Sequence, residues 1–255
     1  MSVLIGTRIG TRIGTVVGSS AGAEPDLPYQ TGMTRRHRAD SHLLDEFGNV
    51  QQIYDLSAAD LDSYSQDVAA RRPGLAAAHA LFGGRPAWDC SLGSKGWSLP
   101  PLPAIVGASG GELFLVMVSA TASQPQFGNF AHLNSADALT NNYTGGLFYA
   151  SEFSNIRRNA ISPAVDPEDY CYIYNSFGKT ALWELRQNSN VLFSTETNTV
   201  GNHAVDGKFV LGSYFSFVST FQGLIAEMIY YDHVLETADR AANTAFLADY
   251  YGVSM

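Results

Sequence analysis

Gly223–Val253, GLIAEMIYYDHVLETADRAANTAFLADYYGV, joins two patterns that set the architecture. Gly223–Asp232 is an almost unbroken apolar run, of the kind found in a strand buried on both faces. After the break at Asp232 and His233 the period changes. In Thr237–Tyr251, the residues Ala238, Ala242, Ala245, Phe246 and Tyr250 recur at helical spacing. Thr237 suits the N-cap, Asp239 lies where the helix dipole favours an acid, and Gly252 suits the C-terminal stop. The stretch predicts a central strand followed by a closing helix that packs Ala242, Phe246 and Tyr250 onto the body.

Upstream, strand signals dominate. Gly111–Ala120 (GELFLVMVSA) is a second continuous apolar run, and further runs cover 146–150, 170–175, 179–184, 190–194 and 208–213. A spacing of roughly ten residues with Asn, Gly and Ser breaks marks a sandwich or jelly roll. Residues 21–40, with Pro25 and Pro28, read as a non-regular linker, and Ser41–Val50 as a short helix capped by Ser41 and ended by Gly48. Trp88 and Trp97 lie in strand-like segments and are expected in the core. Cys90 and Cys171 are expected as buried free thiols. No stretch is long and apolar enough to predict a membrane-spanning helix.

At this point a resemblance appears. Gly223, Ile225, Ala226, Glu227, Tyr231, Leu235, Arg240, Leu247, Tyr250, Tyr251 and Gly252 fit the closing strand, bend and helix of concanavalin A-like lectin/glucanase (laminin-G-like) jelly rolls. His233 and Glu236 depart from the family's usual residues at the bend and helix cap. Ile53–Tyr64 (IYDLSAADLDSY) is similar to the family's opening, and Arg71–Pro100 (RRPGLAAAHALFGGRPAWDCSLGSKGWSLP) to its entry segment. The resemblance implies an all-β jelly-roll sandwich over residues 50–255, preceded by an arm and linker over 1–49. Versions with this opening are frequent in bacteriophage structural proteins and in bacterial surface proteins, and the fold alone does not choose between them.

The arm carries the choice. From Met1 to Gly18 the chain reads MSVLIGTRIGTRIGTVVG, and at the strand period Val3, Ile5, Thr7, Ile9, Thr11, Ile13, Thr15 and Val17 share one face. Arg8 and Arg12 lie on the other face among glycines, and they interrupt any signal-peptide core. Such a strand has no nearby hairpin partner, so it is expected to add to the sheet of a neighbouring subunit. The chain carries a net charge of −9, which argues against a nucleic-acid partner. Residues 1–40 nevertheless hold five arginines against three acids, a basic arm on an acidic body.

No catalytic residue emerges. The family's hydrolases need alternating acids, Glu-x-Asp-x-Glu, on one strand, and no such triplet occurs here. Asp166-Pro167-Glu168-Asp169 is a turn, Glu184 and Glu227 are lone acids, and Glu227 reads as structural. His37, His42, His79, His132, His203 and His233 are scattered without metal spacing. No cofactor is expected, although loop oxygens of Asp137, Asn141 and Asn142 are candidate calcium donors. Asn141, Asn142 and Tyr143, read as a loop, pair amides with an aromatic ring and form the candidate glycan site.

The expectation from sequence is therefore a non-enzymatic virion protein. It would be a capsid decoration (cement) protein, or a head-fibre or tail component, anchored through the arm to capsid or neighbouring subunits and forming a symmetric homo-oligomer in the particle. The alternative is a lectin-like carbohydrate-binding adhesion module at a bacterial surface, and a glycoside hydrolase ranks third. Deleting residues 1–40 is expected to leave a folded body.

Overall fold

The computed structural model describes residues 26–57, 63–91, 95–99, 109–119, 127–131, 139–144, 147–151, 157–196, 208–211 and 221–255. The arm at Val3–Val17 and the candidate donor Asp137 lie outside them. Nine-residue apolar runs become the two central strands, β8 (Gly111–Ser119) and β17 (Gly223–Tyr231), paired antiparallel along their length. On one side of β8 follow β13 (Tyr172–Lys179), β14 (Leu182–Gln187) and β15 (Asn190–Thr195). On the other side of β17 follow β6 (Arg85–Asp89) and β5 (Gly74–His79).

A six-stranded antiparallel sheet, in the order β12 (Arg157–Ile161), β11 (Leu147–Ser151), β10 (Leu139–Thr144), β9 (Phe127–Ala131), β16 (Lys208–Leu211), β7 (Trp97–Leu99), forms the second layer. A small sheet of β2 (His42–Leu44), β3 (Val50–Tyr54) and β4 (Ser63–Ser65) is the third sheet among the described residues. This is the all-β sandwich expected from the sequence, of the jelly-roll kind. Between the sheets, Trp88, Leu113, Leu115, Met117, Tyr172 and Tyr230 pack with Trp97 and Leu99 of the second sheet. Trp88 and Trp97 meet edge-on at 4.9 Å, and both are fully buried. Cys90 and Cys171 are buried free thiols, and burial raises both well above the ordinary thiol value.

The outer face of the large sheet forms a second core. Phe82, Phe114, Val116, Ile173, Ile229 and Tyr231 lie there with helix residues. The helix α1 (Thr237–Tyr251) has the bounds read from the sequence, and Gly252 ends it in the left-handed region at φ 69°. Its buried face differs from the expectation. Arg240, Asn243, Thr244, Leu247, Ala248 and Tyr251 turn inward, while Ala238, Ala242 and Ala245 are exposed and Phe246 and Tyr250 are half-buried. The alanine stripe lost to a polar face because the sheet beneath offers charged partners. The N-cap is Glu236, with no side-chain cap bond, so Thr237 is the first helical residue.

Two further elements differ from the reading. Residues 33–38, assigned to the linker, form β1 (Met33–Arg38), which pairs with β17 in the lane that β6 vacates. Its outer edge is closed by Asp55, whose Oδ1 accepts from Arg36 N at 2.9 Å, and by Leu56 N, which donates to Arg36 O at 2.7 Å. The expected helix at Ser41–Val50 is a hairpin of β2 and β3. Asp45 Oδ1 accepts from the N–H groups of Phe47 and Asn49, both at 2.9 Å, and Gly48 sits at φ 79°. An acid closing a turn around a positive-φ glycine outcompetes a ten-residue helix.

Candidate functional site

β17 carries a bulge that explains its lone acid. Register against β8 shifts between Ile225 and Glu227, and the Ala226 carbonyl turns to accept from Ala39 N at 2.8 Å. The extra residue places Glu227 with Ala226 on the outer face, under the helix. There Oε1 accepts from Arg36 Nε at 2.7 Å and Oε2 from Tyr251 OH at 2.8 Å. Burial opposes the Arg36 charge, but the charge and hydrogen bond of Glu227 overcome it and hold Arg36 above its ordinary value. Tyr251 is pushed well above the ordinary tyrosine value by burial and then by the Glu227 charge.

Glu112 is engaged in the same way. Its carboxylate accepts from Arg240 Nε at 2.7 Å, Arg240 Nη2 at 2.8 Å, Asn175 Nδ2 at 2.9 Å and Leu235 N at 2.9 Å. Arg240 also lies 3.7 Å from the Phe177 ring centre. Glu184 pairs with Arg186. Two fully buried acids are thus engaged by structural donors at both carboxylate oxygens. Gly107–Gly111 (GASGG) does fit the spacing of a nucleophile elbow, as does Gly18–Gly22 (GSSAG). Ser109 leads into a strand, however, and its carbonyl accepts from Val234 N at 2.9 Å, so the strand-to-helix turn of an elbow is missing there.

Space for a ligand occurs elsewhere, in an open cleft of about 360 Å³ on the outer face of the large sheet. Its floor is a cross-strand row: Val118 opposes Leu224, Leu224 opposes Asp89, and Asp89 opposes Gly74. Side chains directly opposed in an antiparallel pair share a face, so the absent side chain at Gly74 and the small Ala76 beside it deepen the floor. At Gly223 a Cβ would meet Val118 O at 2.2 Å, so only glycine permits this approach of β17 to β8. Leu81, on the single 3-10 turn after β5 (Ala80–Phe82), forms one wall. That turn is fastened by Gly84 N donating to His79 O at 3.0 Å.

Polar groups converge on this floor. Asp89 Oδ1 accepts from Ser91 N at 2.8 Å, while Oδ2 has no hydrogen-bond partner among the described residues. His79 contacts Phe82, 5.7 Å between ring centres, and its buried Nδ1 has no hydrogen-bond partner among the described residues. Glu168 enters from the 166–169 turn, which Ser119 N fastens by donating to Pro167 O at 2.7 Å. Cavities of about 300–1,000 Å³ with an apolar floor and a few convergent polar groups are the usual form of small-molecule sites.

The sequence pointed elsewhere. Asn141, Asn142 and Tyr143 lie on strand β10, paired with Ala150, Tyr149 and Phe148 of β11, and not in the loop expected from their composition. Of the cleft residues, the sequence shows Glu168 only as part of a turn and His79 as one of the scattered histidines. The signal that joins them is the pairing register of four strands, which composition does not carry. Among the described residues, no cluster of three or more His, Cys, Asp or Glu is arranged to hold a metal ion, and no helix is long and apolar enough to cross a membrane.

No protein-family model and no curated protein sequence matches the chain. Solved structures do. Domain 4 of a GH43 extracellular arabinanase from Geobacillus stearothermophilus, solved with arabinotriose, aligns over 83% of this chain and 98% of its own, with a TM-score of 0.52 at 13% identity. The binding domain of botulinum neurotoxin serotype D aligns over 85% of this chain and 51% of its own, with a TM-score of 0.54 at 6% identity. Trypanosoma rangeli sialidase in complex with sialic acid aligns over 92% of this chain and 36% of its own, with a TM-score of 0.52 at 11% identity. By fold, the chain is an all-β sandwich of the kind seen in these arabinanase, neurotoxin and sialidase structures.

Proposed function

We propose that this protein is a carbohydrate-binding module that acts without catalysis. One observation carries the reading: the sandwich matches nearly the whole of an arabinanase domain solved with arabinotriose, not a fragment of it. The cleft over Val118, Leu224 and Asp89 supplies a site of suitable size. The absence of an alternating acid triplet and the full engagement of Glu112 and Glu227 in ion pairs favour binding over hydrolysis. The bacterial surface is the location this reading fits, with the glycan as partner.

The virion reading rests on the β-branched, basic arm and on the resemblance of the opening segment, and is kept as a second proposal, with capsid or tail subunits as partners and assembly into a symmetric oligomer. Both are tested with the full chain and a chain lacking residues 1–25. A glycan-binding module holds oligosaccharides by calorimetry with or without the arm and releases no reducing ends. A cement protein binds no glycan, co-sediments with particles at fixed stoichiometry, and loses that attachment with the arm. The second pattern overturns the carbohydrate reading.

A further inference from the structure

Whether a glycan site accepts charged sugars depends on the charges that line it, and here the carboxylates are the only full charges among the described lining residues. Asp89 and Glu168 bring two carboxylates to the cleft, and among the described residues no lysine or arginine lines it. The chain adds a net charge of −9. We infer that the cleft selects uncharged, hydroxyl-rich oligosaccharides and excludes those bearing a carboxylate or sulfate, an inference that rests on the carbohydrate reading above.

The chemistry of each group points the same way. A carboxylate is acceptor-only, with room for several donors, and the open Oδ2 of Asp89 beside the row Val118–Leu224 suits a sugar hydroxyl. Hydrogen bonds to an ionised acceptor are shorter and stronger than neutral ones, so adjacent hydroxyls supply affinity without a counter-charge. The apolar floor and Leu81 receive the C–H face of the same ring. An acidic sugar would set like charges together in a partly desolvated cleft, and such juxtaposition is strongly unfavourable.

The test uses the full chain and matched probes: lactose against 3′-sialyllactose, and arabinotriose against trigalacturonate, titrated calorimetrically at low salt. The neutral member of a pair is expected to bind and its acidic partner to bind at least about tenfold more weakly, with the gap narrowing as salt is raised. A double variant, Asp89→Asn with Glu168→Gln, keeps the shape and the Ser91 contact. It is expected to lose about tenfold in neutral-sugar affinity and most of the discrimination while still melting cooperatively.

If an acidic probe binds as tightly as its neutral partner and the double variant abolishes it, the selectivity inference fails while the carbohydrate reading stands. If neutral binding is untouched by the double variant, the cleft is not the site and the inference fails. If no glycan of a broad neutral and acidic panel binds, the carbohydrate reading itself falls.

Discussion

The two faces of the large sheet are held by different physics. The inner face meets the second sheet through Trp88, Trp97, Leu115, Met117 and Tyr172, where shape and apolar area do the holding. The outer face, to which β1 contributes Arg36, meets α1 through Glu227–Arg36–Tyr251, Glu112–Arg240 and Asn243, whose Nδ2 donates to Tyr231 OH at 2.8 Å. Apolar packing is non-directional and tolerates repacking. A buried ion pair stabilises weakly in net terms, yet removing one member leaves an unpaired charge and is costly. The outer face is therefore the brittle one, and its charges dictate which side of the helix points inward.

The largest expected effect comes from deleting residues 1–40. The sequence reading expected a folded body, but this deletion removes β1 and strands Glu227 in the interior without Arg36. Losing one partner of a buried pair costs about 3–5 kcal/mol, and loss of the ladder adds to it, against a total stability of about 5–15 kcal/mol. The truncated chain should show no cooperative melting transition. A sharp transition near that of the full chain would remove β1 from the folded unit.

Next is a pair of near-isosteric swaps, one on each face. Leu115→Met on the inner face should cost under about 1.5 kcal/mol by chemical denaturation, because volume is conserved. Glu112→Gln on the outer face changes little in shape but leaves Arg240 buried without its counter-charge, and should cost about 3–5 kcal/mol. Replacing both partners by apolar residues, Glu112→Leu with Arg240→Met, should recover only part of that loss, because Leu235 N and Asn175 Nδ2 also lose the Glu112 acceptor. Equal costs for the two single swaps would erase the distinction between the faces.

This contrast also explains what the sequence disclosed. Apolar runs announce burial on both faces, so β8 and β17 were legible, and so were the bounds of α1, where period and glycine stop agree. The strand β1, MTRRHR, was not, because three consecutive buried residues, Arg36, His37 and Arg38, read as a solvated charge run until their partners are known. The helix face failed for the same reason: Arg240 and Asn243 are inward only because Glu112 and Tyr231 wait there. A bulge moved Glu227 by one residue, which no two-residue period anticipates. The cleft depends on pairing across four strands, so its members were visible singly and not as a site.

A smaller effect separates the two anchors of the helix. Tyr251→Phe removes one hydrogen bond to Glu227 and leaves Arg36 in place. A hydrogen bond to a charged group contributes about 1.5–3 kcal/mol, so this variant should fall between Leu115→Met and Glu112→Gln in denaturant midpoint. A cost as large as that of Glu112→Gln would mean that Tyr251, and not Arg36, is the principal partner of Glu227.

The smallest effect is acid sensitivity where β1 meets the small sheet. His37 is fully buried; its Nδ1 lies 2.9 Å from Tyr54 O, so that nitrogen carries the proton and Nε2 is left as a lone pair with no partner among the described residues. Burial lowers its pKa below the ordinary 6.5, against the opposing pull of Asp55 and of the Tyr54 carbonyl, with Arg35 adding to the lowering. A depressed folded-state value means the unfolded chain binds the proton more readily. The contribution is therefore complete above the ordinary value of about 6.5 and is lost as pH falls from there through the depressed folded value. His42, half-buried with Nδ1 2.7 Å from Ala39 O, is lowered in the same direction. Asp55 is also lowered, chiefly by hydrogen bonds from Ser57 and Arg36 that outweigh its burial, but its loss belongs to a more acidic window, below the ordinary 3.8. Melting temperature should thus decline on acidification between about pH 7 and pH 5. His37→Asn, which keeps a donor for the Tyr54 carbonyl without a titrating ring, should flatten that decline while leaving the His42 share. An unchanged slope in this variant would show that protonation of His37 is not what loosens β1 from the small sheet.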